Sequence, residues 1–222
     1  MGQHINIPTT RTQCIGAYLA KAEGKPKGGI VVIQEIYGVT PHIRSVADRL
    51  AAAGYTAVAP AFFDHLESGV ELAYDKTGTE RGKALVQELG MQRPMEDVAS
   101  AAEAIASAGK IGTLGFCWGG TVALLAAQHL GMPSVSYYGA RNTGYMNDPL
   151  QAPVMFHFGG NDRSIPPEAV AKHREQWPDM EVFTYPDAGH AFNRDVKGDS
   201  HYHEASAKLA WQRTLAFFGQ HL

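Results

Sequence analysis

The chain has little cysteine: Cys14 and Cys117 are the only two in its 222 residues. Two cysteines far apart in the chain do not make a disulfide framework, so we expect a reducing, cytoplasmic environment. The sequence also lacks a strong excess of charge, because its formal net charge is −3. A nearly balanced surface creates no global field that attracts nucleic acid or an anionic membrane, and we expect neither as a partner.

Long hydrophobic runs are missing as well. No apolar stretch approaches the roughly 20 residues that span a bilayer, and residues 1–8 do not place a basic segment before an apolar one. We therefore expect neither a membrane anchor nor a signal peptide. Repeats, low-complexity segments and linkers are also missing, and a hydrophobic content of 45% suits a single domain over residues 1–222.

What the sequence does contain is an alternation of apolar runs and helical patterns. The apolar runs predict strands at 28–34, 56–60, 110–114, 134–138, 153–158 and 181–185. Helical spacing predicts helices at 41–53, 80–89, 94–108, 121–129, 166–177 and 203–221. Repeated βαβ units predict an α/β fold, with a mostly parallel central sheet and helices on both faces. The least regular stretch, 62–79, is expected to be a surface loop or a small lid.

The segment from Gly115 to Gly120, GFCWGG, lies between an apolar run and a helical one. This strand–turn–helix context is that of the nucleophile elbow G-x-S-x-G, with cysteine in place of serine. The sharp turn would lift the Cys117 thiol above the sheet and point the first N–H groups of the next helix at it. The alternative is a small buried cysteine in an ordinary glycine-rich turn.

Two later segments supply the acid and the base that a thiol nucleophile needs. Asp162 follows the run at 153–158, and His190 lies on the loop after the run at 181–185. The order nucleophile, acid, histidine is the one found in α/β-hydrolases, and all three side chains would project from the carboxyl ends of parallel strands. Taken singly, Asp162 fits a turn residue and His190 is one of ten histidines, but the ordered set favours a catalytic triad.

The predicted chemistry is acyl transfer to sulfur followed by hydrolysis. Such a reaction needs two preorganised donors for the oxyanion. In α/β-hydrolases the residue after the nucleophile usually gives one backbone N–H, here that of Trp118. The loop after the third strand of that fold gives the other, and if 28–34 is that strand the donor is the N–H of Ile36.

Four segments resemble the catalytic segments of the dienelactone hydrolase (carboxymethylenebutenolidase) family. They are VIQEIYG at 32–38, GFCWGG at 115–120, FHFGGND at 156–162 and DAGHAFNR at 187–194. The similarity extends from about residue 10 to the C-terminal helix. It implies an α/β-hydrolase fold with an antiparallel start in residues 13–20. It also implies hydrolysis of a lactone or ester, most like dienelactone to maleylacetate, with no cofactor and no metal.

The resemblance also implies roles for individual residues. Glu35 would hold the resting Cys117 as a neutral thiol until substrate displaces it, which would protect the sulfur from oxidation. From the sequence alone, an exposed carboxylate at a strand end is an equal alternative for Glu35. Arg194 would grip the carboxylate of dienelactone. Arg81 matches the second arginine of the family weakly, and a solvated arginine at a helix start is its alternative.

Aromatic residues near these segments are candidates for the walls of the pocket. Tyr37 and Tyr137 would either line it or simply pack. Trp118 departs from the small aliphatic residue expected after the nucleophile, and this would narrow or reshape the acyl site.

Other functions fit parts of the pattern. A hydrolase-fold protein could bind a small ligand or sense oxidants through Cys117 without turnover, although a mere binder needs no triad. An esterase for neutral esters is another alternative. His201 and His203 have no supporting cluster of metal ligands, and the paired glycines do not form a dinucleotide-binding motif. We expect a small lactone or ester as substrate, and a monomer or weak homo-oligomer.

Overall fold

A computed structural model of the protein describes residues 2–10 and 13–222. Within these residues the strands are β1 (Gln3–Pro8), β2 (Cys14–Ala20), β3 (Gly29–Ile33), β4 (Thr56–Pro60), β5 (Ile111–Phe116), β6 (Ser134–Tyr137), β7 (Val154–Gly159) and β8 (Glu181–Tyr185). The helices are α1 (Pro41–Ala52), α2 (Lys76–Leu89), α3 (Gln92–Ala104), α4 (Trp118–His129), α5 (Pro167–Gln176) and α6 (Glu204–His221). Short 3-10 turns lie at Phe62–His65, Ala106–Ala108 and Asn142–Tyr145.

The strands form an eight-stranded sheet in the order β1-β2-β4-β3-β5-β6-β7-β8. The β1–β2 and β2–β4 pairs are antiparallel, whereas the β3–β4, β6–β7 and β7–β8 pairs are parallel. This confirms the predicted α/β-hydrolase architecture with its mostly parallel sheet. It also confirms the antiparallel start in residues 13–20. Strand β1 was not predicted, because its alternating polar and apolar residues form a short run at the start of the chain.

Contacts between Cα atoms divide the chain into two compact units. The first comprises residues 1–113 and Leu222. Its strand β3 is buried along its whole length, as parallel strands covered on both faces are. Helix α1 begins with Pro41, where the missing N–H removes no helical hydrogen bond. The apolar stripe of α1 packs against β4, β2 and β3.

The second unit comprises residues 114–221. Strands β6 and β7 are buried throughout, and α4, α5 and α6 pack against β6, β8 and β7 in turn. Because β6, β7 and β8 are parallel neighbours, their carboxyl ends meet at one edge of the sheet. The prediction of one domain over residues 1–222 stays a prediction.

Several element boundaries differ from those predicted. Helix α2 begins at Lys76, four residues early, because the Asp75 carboxylate caps it by accepting the Gly78 N–H at 2.7 Å. Helix α3 begins at Gln92 and ends at Ala104, and the last predicted turn is instead a separate 3-10 turn. Pro94 fits inside α3 because it lies in the first turn, where N–H groups have no helical partner.

The stretch 62–79 is only partly the loop or lid that was expected. Its first residues form a 3-10 turn in which Phe62 and Phe63 are fully buried, so the hydrophobic effect holds this part in the core. Its last residues belong to α2. Within residues 2–10 and 13–222, none of the helices combines the length and apolar character needed to cross a bilayer.

Candidate active site

Cys117 is the single residue between β5 and α4. Its φ of 55° and ψ of −115° lie in a strained region that costs a non-glycine residue about 1–3 kcal/mol. The strained backbone is fixed by a hydrogen bond of 3.0 Å from the Cys117 N–H to the Tyr137 carbonyl. Glycine is required at position 115, because a Cβ there would overlap the backbone of Gly119. The backbone is therefore that of a nucleophile elbow.

The side chains of Cys117, His190 and Asp162 meet in the second unit, although they are far apart in the chain. Nε2 of His190 lies 3.2 Å from Sγ of Cys117, and Nδ1 lies 2.7 Å from Oδ2 of Asp162. The Asp162 side chain is fully buried, whereas 25% of the His190 side chain is exposed. The second oxygen of Asp162 accepts the Ser164 N–H at 2.8 Å, which fixes the carboxylate against the loop after β7.

The surroundings of His190 favour its charged form. Burial by itself lowers the pKa of His190, but the charge of Cys117 and hydrogen bonds to Asp162 and Cys117 outweigh burial. Together they raise the pKa of His190 from 6.5 to about 10. The arrangement therefore favours an imidazolium at His190, between the sulfur of Cys117 and the carboxyl group of Asp162.

A model of a known protein family matches the part of the chain that contains these three residues. The model of the dienelactone hydrolase family matches residues 15–222. The chain belongs to this family. It is therefore an enzyme that hydrolyses esters or lactones.

Individual relatives agree with the family match. A protein of Salmonella typhimurium provisionally named carboxymethylenebutenolidase is 37% identical over 209 residues, which cover 86% of this chain and 77% of that one. A protein of Azospirillum brasilense with the same provisional name is 35% identical over 232 residues, with 98% of each chain covered. The crystal structure of a provisionally assigned dienelactone hydrolase from Klebsiella pneumoniae has a TM-score of 0.84 at 32% identity. That match covers 99% of this chain and 98% of the other.

This dienelactone hydrolase family member also places an aromatic ring against His190 that was not predicted. The ring centroid of Tyr138 lies 5.2 Å from that of the imidazole. The sequence pointed instead to Tyr137, whose ring is fully buried and whose hydroxyl bonds Oγ1 of Thr214 at 2.7 Å. Tyr137 thus packs within the core, and its predicted place in the wall of a substrate pocket stays a prediction. In the sequence, the feature that distinguishes Tyr138 is its position before Gly139 at the end of a predicted strand.

The predicted oxyanion donors, Trp118 and Ile36, and the carboxylate residue Glu35 all lie shortly after the ends of strands. Trp118 is the first residue of α4, so its N–H belongs to the turn that lacks helical acceptors. Its side chain is buried. Glu35 and Ile36 follow β3 in the first unit, and Glu35 is only 1% exposed. The alternative of an exposed carboxylate at Glu35 is therefore wrong, while the catalytic roles of Glu35 and Ile36 stay predictions.

Both candidate arginines are paired with carboxylates of the chain. Arg194 is buried and its Nε bonds Asp199, while its Nη2 lies 3.3 Å from Nδ1 of His201. Burial raises the pKa of Asp199, but hydrogen bonds from Arg194 and His201 outweigh it and bring the pKa to about 2. Arg81 is half exposed and pairs with Glu67 at 2.6 Å. It lies in the second turn of α2 rather than at the helix start.

Tyr37 and the two loop histidines complete the list of sequence candidates. The half-buried Tyr37 has its hydroxyl 2.9 Å from Oγ1 of Thr79. Nδ1 of His203 lies 2.8 Å from Oγ of Ser206, and His201 bonds Asp199. Throughout the described residues, no three His, Cys, Asp or Glu side chains lie close enough together to hold a metal ion.

Proposed function

We propose that the protein hydrolyses a small lactone or ester, most like dienelactone, through a Cys117–His190–Asp162 triad and a thioester intermediate. The observation that carries this proposal is the pair of short contacts that His190 makes, 3.2 Å to Cys117 Sγ and 2.7 Å to Asp162 Oδ2. A nucleophile, a base within hydrogen-bonding distance and a group that orients the base are the parts such a mechanism needs.

The first step is attack by sulfur. The Cys117 thiolate adds to the carbonyl carbon, a C–S bond forms, and the π electrons move to the carbonyl oxygen. The resulting oxyanion would accept hydrogen bonds from the Trp118 N–H and from the predicted second donor, the Ile36 N–H. Removing one such donor typically costs about 3–4 kcal/mol of transition-state stabilisation.

The second step expels the alcohol. The oxyanion collapses, the C–O bond breaks, and Nε2 of His190 gives its proton to the departing oxygen. In a lactone that oxygen stays attached to the acyl chain as a new hydroxyl or enol. Asp162 keeps the second proton of the ring on Nδ1, so that Nε2 is the nitrogen that exchanges protons.

The third step is hydrolysis of the thioester. Sulfur carries no charge in the thioester, so the largest influence that raises the pKa of His190 in the free enzyme is removed. The neutral imidazole then takes a proton from water, the hydroxide adds to the thioester carbon, and the thiolate leaves. His190 thus alternates between acid and base because the charge on its neighbour changes.

A specific observation favours neutral esters as a second candidate substrate class. Both candidate arginines already have their charge balanced by a carboxylate of the chain, Arg194 by Asp199 and Arg81 by Glu67, and this weakens their attraction for the carboxylate of dienelactone. Trp118 in the place of a small residue would also change the shape of the acyl site.

The test of the proposed function is turnover of aryl esters and lactones by Cys117→Ala and His190→Ala. We expect each variant to lose at least about 10³-fold in kcat with its circular dichroism unchanged, since triad members act as a unit. Matched controls are Cys14→Ser and His129→Gln at exposed positions, which should retain full activity. Undiminished hydrolysis in Cys117→Ala would refute the mechanism. Peroxide modification of Cys117 without any turnover by the unmodified protein would favour an oxidant sensor.

A further inference from the structure

Tyr138 has an unusual backbone for a bulky residue. Its φ is 40°, in the left-handed region that side chains of this size rarely adopt. The residue is fully buried, and its N–H donates to the His157 carbonyl at 2.8 Å. A backbone of this kind persists only where the surrounding structure determines it, and such positions cluster at functional sites.

The partner of Tyr138 is itself held firmly. Nδ1 of His157 lies 2.9 Å from the Tyr185 hydroxyl, and Nε2 lies 3.3 Å from Oγ1 of Thr214. His157 is fully buried, and burial together with the nearby Arg213 lowers its pKa to about 3. His157 therefore stays neutral during any reaction near neutral pH, and it fixes the position of Tyr138 without changing charge.

The constrained backbone directs the Tyr138 ring against His190. The two ring centroids are 5.2 Å apart, with planes inclined at 56°. Phe192 and Phe116 contact the same tyrosine ring, at 5.5 Å and 6.2 Å. Tyr138 is thus an aromatic surface supported by two apolar rings, with the imidazole against it.

The charged groups that face His190 come from two other elements. They are Cys117 at the start of α4 and Asp162 after β7, and both favour the protonated ring. Tyr138 adds an aromatic ring to this set from the end of β6. A cation within about 6 Å of an aromatic centroid is attracted by the electron-rich ring, and more so when water is excluded.

We propose that Tyr138 is a positioning residue whose ring stabilises the protonated form of His190 and holds it against Cys117. Its importance for catalysis rests on the proposed function, but the interaction itself does not. The aromatic ring is the active part, so the phenolic hydroxyl should be dispensable.

The experiment compares Tyr138→Phe, which keeps the ring, with Tyr138→Leu, which removes it. The control is Phe192→Leu, which removes one of the two rings that pack on Tyr138 but keeps the Tyr138 ring itself. All proteins carry Cys14→Ser, so that Cys117 is their only thiol. Tyr138→Met replaces Tyr138→Leu if the latter does not fold, because methionine fills irregular gaps in a core.

The readout is the rate of Cys117 alkylation by iodoacetamide as a function of pH. This rate should show a step where His190 loses its proton, because a thiolate without its imidazolium partner is more reactive. Tyr138→Leu should move that step to lower pH by about half a unit or more. Tyr138→Phe and Phe192→Leu should leave it within about 0.2 units of the parent protein.

Two results would overturn the proposal: an unmoved step in Tyr138→Leu, or an equal shift in Phe192→Leu, which would mean that packing alone is responsible. The measurement uses no substrate. It therefore gives an answer even if Cys117→Ala retains activity and the proposed function is wrong.

Discussion

The N–H of Cys117 donates a hydrogen bond of 3.0 Å to the carbonyl of Tyr137, so the end of β6 fixes the strained backbone at Cys117. The next residue, Tyr138, contacts His190. One strand end therefore positions two members of the candidate triad. Asp162 follows β7, the neighbour of β6 in the sheet. The arrangement of the three side chains is thus a property of the β6–β7–β8 edge.

Glu35→Gln should make Cys117 react faster with iodoacetamide near neutral pH, by several-fold, and change the pH profile of the reaction. If Glu35 holds the Cys117 thiol in its neutral form, as the family resemblance implies, replacing this buried carboxylate with an uncharged amide would remove that effect. Rates are measured in the Cys14→Ser background. Glu88→Gln, at an exposed carboxylate of α2, is the control and should change nothing. An unchanged rate and profile in Glu35→Gln would remove the role predicted for Glu35.

Arg194→Ala should raise KM much more for a carboxylate-bearing lactone than for a neutral aryl ester, if Arg194 binds the carboxylate of the substrate. It should also lower the free energy of unfolding by about 1–3 kcal/mol, because Asp199 loses its Arg194 partner and keeps only its hydrogen bonds with His201. Steady-state kinetics and urea unfolding measure the two effects.

Asp199→Asn separates these two roles of Arg194. This variant weakens the ion pair but keeps the guanidinium. It should therefore lower the free energy of unfolding without a selective rise in KM for the carboxylate-bearing lactone. Equal effects of Arg194→Ala on both substrates would mean that Arg194 only supports the loop through Asp199.

The folded protein should lose stability below about pH 6.5, in part because of His173. Burial lowers the pKa of His173 to about 4, helped by Arg174 and opposed by a hydrogen bond to the Ala169 carbonyl. As the pH falls, His173 therefore binds a proton near pH 6.5 in the unfolded chain but only near pH 4 in the folded chain. This linkage lowers the free energy of unfolding by ~2 kcal/mol at pH 5 relative to neutral pH.

His173→Leu tests the linkage by urea unfolding at pH 7.5 and pH 5. The loss of stability between the two pH values should be ~2 kcal/mol smaller in this variant than in the parent protein. His129→Gln is the control, because this half-exposed histidine should not contribute in the same way. An equal loss in His173→Leu and the parent would contradict the prediction.

The sequence was sufficient for the parts of the fold that depend on local patterns. Strands β4 and β8 have the predicted bounds, because apolar and β-branched residues in a short run leave few alternatives. The order of Cys117, Asp162 and His190 along the chain, together with parallel strands, was enough to predict that they share an edge. Helix α2 was placed four residues late because Gly78 lowers helix propensity, while the cap at Asp75 compensates for it.

Other features of the site depend on tertiary contacts and could not be predicted. The positive φ of Tyr138 has no local signal, since it results from the hydrogen bond to His157 and from the rings around it. The pairing of Arg194 with Asp199 depends on how the loop after Phe192 folds back. Burial of Glu35 depends on what covers the end of β3. Each of these features affects the charge or the position of a predicted site residue.

The most direct test of the account is to find the atom that carries the acyl group. The Cys14→Ser protein is mixed with an activated aryl ester, quenched in acid within milliseconds, and analysed by peptide mass spectrometry. We predict an acyl adduct on the peptide that contains Cys117, formed as fast as the first turnover and missing in Cys117→Ala. Rapid hydrolysis with no adduct on Cys117, or with the adduct on another residue, would contradict the account.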